Sequence, residues 1–365
     1  MTLSLYVIRR FLWMLLRVAI LFFCLMMLID SVDQIRGNGT KSIGAGLALH
    51  LAALSTPTNL YRILPLVVIL SAIALFVGLA RSSELVIVRA SGRSGLRFLL
   101  APAVAAFAAG LLCVTVFNPL VAATTKRFDD LAAEVARGKK NVMSFSGEGL
   151  WMRQGDANGQ VVIHADRTNQ DATELFGATF LIYDAEGQAI RRIDAERATL
   201  GTGAWQMSGA KSWDLGQDNP EITALRQESG VSLPSDLTRQ TIWDTFGAPS
   251  SISFWYLPGY IDNLEAAGFS ARRHRVWFQM ELAQPLLWVG MVLLAAGFTM
   301  RHARFGKTGR YVLLAVLCGF VIFFLRNFAQ VLGDSGQIPV ALAAWSPPFV
   351  ALMLALGLLL HLEDG

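Results

Sequence analysis

The residues that could do chemistry in this chain are few, and their spacing can be tested one motif at a time. FGKTGR contains Gly306-Lys307-Thr308, the ending of a phosphate-binding loop in which backbone amides and a lysine cradle a nucleotide. Such a loop needs a glycine five residues before its final one, and Arg301 stands there. GFSAR (Gly268–Arg272) has the start of a nucleophile elbow and lacks the closing glycine. His50, His164, His274, His302 and His361 are scattered, with no pair at metal-ligand spacing. Cys24, Cys113 and Cys318 lie far apart in separate apolar runs, which implies neither a disulfide framework nor a metal site. No catalytic constellation emerges, no metal or cofactor is expected on the chain, and any energy it uses must come from elsewhere.

The elements that carry these residues explain the pattern. Of 365 residues, 54% are hydrophobic and 16% charged, against about a quarter charged in an ordinary soluble domain. The apolar residues are concentrated in six runs, and Lys126 to Arg275 has normal polarity. A helix needs roughly 20 apolar residues to cross the hydrocarbon core. Spans are expected at Phe11–Ile29, Asn59–Ala80, Leu96–Val121, Trp277–Met300, Tyr311–Val331 and Pro339–Leu360. The first resembles a signal peptide, but it is long, is interrupted by Arg17 and has no cleavage site before Asp30, so it reads as a retained anchor.

Charge sets the orientation. Arg9, Arg10 and Arg17 flank the first span, Arg81, Arg89, Arg93 and Arg97 lie between spans two and three, and Arg301, Arg304, Lys307 and Arg310 between four and five. The opposite loops carry only Arg36 and Lys41, and LGDSGQI carries no cation. The positive-inside rule puts both termini in the cytoplasm and the long insert on the far side. The net charge of +4 therefore needs no nucleic-acid partner.

The insert reads as β. Apolar and polar residues alternate in VVIHAD (Val161–Asp166), TFLIYDA (Thr179–Ala185) and AWQMSGAKSWDL (Ala204–Leu215), with turn-rich pieces between them. Short strands at this spacing suggest a sandwich or jelly roll. The expected organisation is residues 1–123 with three spans, residues 124–270 as a β-jellyroll with helical connectors, and residues 271–365 with three more spans. The fold class is an α-helical polytopic membrane protein with an inserted all-β domain.

Between spans two and three lies SSELVIVRASG. Ser82 or Ser83 can cap a helix, Glu84 favours its first turn, and Gly92 can stop it. Leu85, Val88, Ala90 and Gly92 fall near one side, with Arg89 and Arg93 around them. Two readings fit: a positive-inside loop that happens to be helical, or a coupling helix at about residues 82–92 that plugs into a separate ATPase and transmits its closure.

GLARSSELVIVRASGRS resembles the signature of the lipopolysaccharide-export permease family, the LptF/LptG subunits of an ABC transporter. VDQIRG (Val32–Gly37), LP before span two, GLWMRQGD (Gly149–Asp156) and FQMELAQPLLWVGMVLLAAGF (Phe278–Phe298) are similar to the G-type subunits rather than the F-type. The resemblance implies an inner-membrane heterodimer with an F-type permease (LptF), seated on a dimer of the LptB ATPase, which uses ATP and Mg. It also implies a periplasmic jellyroll that hands lipopolysaccharide to an LptC-like partner. Ser83, Glu84, Leu85, Val88, Arg89, Ala90, Ser91 and Gly92 would then couple to the ATPase.

Lipopolysaccharide would need apolar walls and cations near the outer end, and Arg36, Lys41 and Arg326 are the candidates. Snorkelling to the headgroups accounts for the same arginines without a ligand. Glu281 and Asp30 stand where the family commonly carries basic residues, which suggests a lipid with fewer phosphates. Three other readings compete: the F-type paralogue, an ion-coupled secondary lipid transporter with acidic or broken helices at mid-membrane, and an assembly factor for which the spans are a mere anchor.

Overall fold

The computed structural model describes residues 2–37, 45–82, 84, 95–136, 142–146, 149–156, 159–169, 173–184, 187–216, 220–221, 224–235, 237, 248–266, 270–300 and 308–363. Its helices are α1 (Thr2–Gly37), α2 (Ala45–Arg81), α3 (Gly95–Leu112), α4 (Asn118–Ala136), α5 (Leu257–Ala266), α6 (Arg272–Thr299), α7 (Thr308–Asp334) and α8 (Val340–Glu363). A π-turn, Cys113–Phe117, joins α3 to α4. Six stretches are long and apolar enough to cross a membrane, in the six places expected from the sequence.

The helices run past the apolar runs. α1 begins at Thr2, and α2 begins at Ala45 and passes through Pro57 and Pro65 without ending. Hydrophobicity marks where lipid is, whereas a helix continues for as long as its backbone amides have partners. The third span likewise continues through the π-turn into α4 as far as Ala136.

α6 is the core of the helical unit. Val276, Met280, Leu287, Met291, Leu294 and Ala295 are all buried, and the burial runs around the helix rather than along one stripe. Two glycines let neighbours come close. A Cβ on Gly110 of α3 would lie 2.7 Å from the Cα of Pro285, and one on Gly290 would lie 2.8 Å from the Cβ of Ala351 in α8. Small residues at such crossings give tight packing where lipid supplies no hydrophobic drive between helices.

The inserted domain holds strands β1 (Val142–Ser146), β2 (Gly149–Asp156), β3 (Gly159–Thr168), β4 (Glu174–Tyr183), β5 (Ala189–Gly201), β6 (Ala204–Asp214) and β7 (Leu225–Pro234). They form one antiparallel sheet in sequential order, which matches the expected inserted all-β domain. The alternation in the sequence sets one face inward. Met152, Ile163, Phe180 and Ile193 sit opposite one another across four strands and are all buried. Beside them runs a second buried row of Ala165, Ala178, Ala195 and Ala210. Trp205 is fully buried and meets Phe180 edge-on at 6.0 Å.

The sheet curls on itself. The Gln154 side chain of β2 donates to the Pro234 carbonyl at the end of β7 (3.5 Å) and accepts from the Ser235 hydroxyl (2.8 Å). Asp129–Ile252 and Tyr256–Ala271 make up this compact unit, and Met1–Phe128, Ser253–Trp255 and Arg272–Gly365 make up the helical one. The returning triplet Ser253–Trp255 thus belongs with the helices.

Candidate functional site

Three polar groupings stand out in the helical unit. The first lies at the end of α2. Glu84 accepts from the Ser82 hydroxyl and from Arg10 Nη1, both at 2.7 Å, and Arg10 also donates to the Tyr6 hydroxyl at 2.6 Å. Partial burial pushes the Glu84 carboxyl up, but the hydrogen bonds from Ser82 and Arg10 outweigh it and hold the group below the ordinary carboxylate value. Ser83 and Leu85, Val88, Arg89, Ala90, Ser91 and Gly92 lie outside the described residues.

The second grouping ties α1 to α2. The Asp30 carboxylate accepts from the Asn59 amide (3.0 and 2.9 Å to its two oxygens), and the Ser55 and Thr56 hydroxyls, 3.1 and 3.2 Å away, share their single hydrogens between it and the Ala52 carbonyl (3.1 and 2.6 Å). Ser55 and Thr56 lie one helical turn before Asn59, so all three polar side chains face the same acid. Arg36 lies in the last turn of α1, and nothing further of its side chain is described; Lys41 lies outside the described residues.

The third grouping is buried. Tyr61 of α2 donates to Glu281 of α6, and Asn118 at the end of the π-turn donates to the Tyr61 hydroxyl at 3.5 Å. Glu281 is fully buried and Arg326 of α7 is 7% exposed, and each lies within electrostatic reach of the other. Arg326 is thus buried within the field of an acid on another helix, which its position in the sequence did not disclose.

Spacing alone did not single out Arg10, Tyr61 or Asn118. Asn118 offers the one usable signal, as a polar residue inside the apolar run LLCVTVFNPL. What the arrangement can do is hold helices in register; it presents no nucleophile–base pair.

The comparisons agree with this architecture. The family described as "Lipopolysaccharide export system permease LptF/LptG" matches residues 5–361. The chain belongs to that family. It is 24% identical over 330 residues to the lipopolysaccharide export system permease protein LptG of Escherichia coli (strain K12), covering 90% of this chain and 87% of that protein. Its similarity to the LptG of Haemophilus influenzae is 25% over 347 residues, 92% of each. Both relatives are G-type, in keeping with the VDQIRG and GLWMRQGD resemblances.

Proposed function

We infer that this chain is a permease subunit of a lipopolysaccharide exporter in the bacterial inner membrane. The observation that carries the reading is the family match from residue 5 to residue 361, which spans all six apolar helices and the inserted sheet. An ion-coupled secondary transporter is not favoured by that membership.

The chain would work without catalysis of its own. A separate ATPase, LptB in the family's exporters, would hydrolyse ATP with Mg, and an F-type permease would complete the membrane part. The arginines near the start of α1, after α2 and before α7 support cytoplasmic termini and a periplasmic β domain. ATPase closure would push on Glu84–Gly92, the expected coupling helix, and narrow a cavity between the permeases. The lipid would then leave from the outer leaflet toward an LptC-like periplasmic bridge. Arg36, Lys41 and Arg326 are proposed as cations for its phosphates, with Arg326 freed for that role only when its charge leaves Glu281.

Co-purification from the native membrane tests the assignment. The tagged chain should bring down a soluble nucleotide-hydrolysing protein and a second six-span permease in fixed ratio. Recovery of the chain alone, with lipopolysaccharide still reaching the outer membrane after the gene is silenced, would overturn it.

A further inference from the structure

The segment that returns from the β domain is fastened to the span that leads out to it. In the π-turn the Asn118 amide reaches back to the Cys113 carbonyl, a pairing that breaks the α-helical ladder. Nearby, the Thr115 carbonyl accepts from Trp255 Nε1 at 3.0 Å. Three residues on, Asn118 Oδ1 accepts from the Phe254 backbone amide at 2.8 Å. Phe254 then stacks on Phe278 of α6, with ring centroids 5.3 Å apart at 21°.

Asn118 is 2% exposed, and a buried amide is costly unless both ends are satisfied. Its other end donates to Tyr61, which donates to Glu281. One polar chain therefore runs from the returning connector, through the bulged third span and α2, to the buried acid of α6. A regular helix at Cys113–Phe117 would not carry the i→i+5 pairing that ends at Asn118.

We propose that Asn118 is a positioning residue of the transport cycle. With the Thr115 carbonyl, it clasps Ser253–Trp255 so that the outgoing and returning connectors of the β domain move as one piece with Tyr61 and Glu281. Movement of the helices then reaches the β domain through both connectors at once. The inference rests on the transport reading and adds to it the joint through which the two ends of the insert are driven.

The test uses the full permease–ATPase complex in liposomes loaded with lipopolysaccharide, reading lipid released per ATP hydrolysed. In Asn118→Leu, that ratio is expected to fall roughly three- to tenfold, the range one lost hydrogen bond produces, while ATP turnover and assembly persist. Trp255→Phe keeps the exposed ring, loses only its donor, and should lower the ratio in the same direction; it decides the matter if Asn118→Leu does not assemble. A short covalent link between Asn118→Cys and Phe254→Cys, with the native cysteines replaced, restores the tie to the connector but not the bond to Tyr61 or the stack on Phe278, and should raise the ratio above that of Asn118→Leu without reaching the wild-type value. An unchanged ratio in Trp255→Phe, or a linked chain that stalls, overturns the proposal. A wild-type complex that hydrolyses ATP and releases no lipid would instead overturn the transport reading.

Discussion

Arg10 Nη1 and Glu84 Oε1 meet at 2.7 Å, joining the start of the first helix to a residue just beyond the second. Their side chains remain 27% and 31% exposed, so the pair contributes at most about 1 kcal/mol to folding. Its value lies in aiming Glu84. Glu84→Gln is expected to leave thermal unfolding nearly unchanged while lowering recovery of the ATPase with the permease, and Arg10→Gln should act in the same direction more weakly. Because the folded Glu84 carboxyl is depressed, the contact is complete above the ordinary glutamate value of about 4.3 and is lost only as pH falls through the lower folded value. ATPase recovery that is flat between neutral pH and pH 5 fits this sign; a steep loss in that window counts against it.

Glu281 and Arg326 should behave as a compensated pair. Removing one charge leaves the other buried without an opposing field, whereas removing both can be close to neutral. Arg326→Met alone is therefore expected to lower the unfolding temperature in detergent, and Glu281→Met/Arg326→Met to recover most of it. Equal destabilisation by the single and double variants would mean that the charges do not depend on each other.

Asp30 has an internal role that its sequence position concealed. With the Asn59 amide on its two oxygens and the Ser55 and Thr56 hydroxyls beside it, it staples α1 to α2. Asp30→Ala should cost about 1.5–3 kcal/mol, as for hydrogen bonds to a charged group, and Asp30→Lys should cost more, since the donors would face a cation. Scanning calorimetry of the purified chain decides. The acid at this position thus has a use independent of how many phosphates the transported lipid carries; mass spectrometry of the organism's lipid A measures that count separately.

Orientation can be read directly. With the three native cysteines replaced, Thr202→Cys, in the turn between β5 and β6, should react with a membrane-impermeant maleimide in cells whose outer membrane alone is opened. Arg310→Cys, at the start of α7, should react only after the inner membrane is breached. The reverse pattern would invert the topology and remove Glu84 from any cytoplasmic ATPase.

Much of the fold was legible because its signals are local. Apolar runs mark the six spans, and alternation marks β3, β4 and β6, because each depends on neighbours a few residues away. The contacts that organise the helical unit are of another kind. Arg10 and Glu84 are 74 residues apart, Asn118 and Phe254 are 136 apart, and Tyr61 and Glu281 are 220 apart. No periodicity encodes such pairs. Glu281 illustrates the difference: in sequence it is an acid where a base is expected, and in the fold it is a buried acid met by a tyrosine from another helix.

The backbone approach at Gly110 and Pro285 has a mechanical consequence. With no side chain between them, the third and fourth spans have no cushion to shear or roll against, and they act as a fixed frame. Displacement during a cycle would then fall to the other helices, several of which keep open apolar flanks: α1 with Leu16, Leu21 and Leu28, α7 with Leu317, Val321 and Phe324, and α8 with Leu342, Phe349 and Met353.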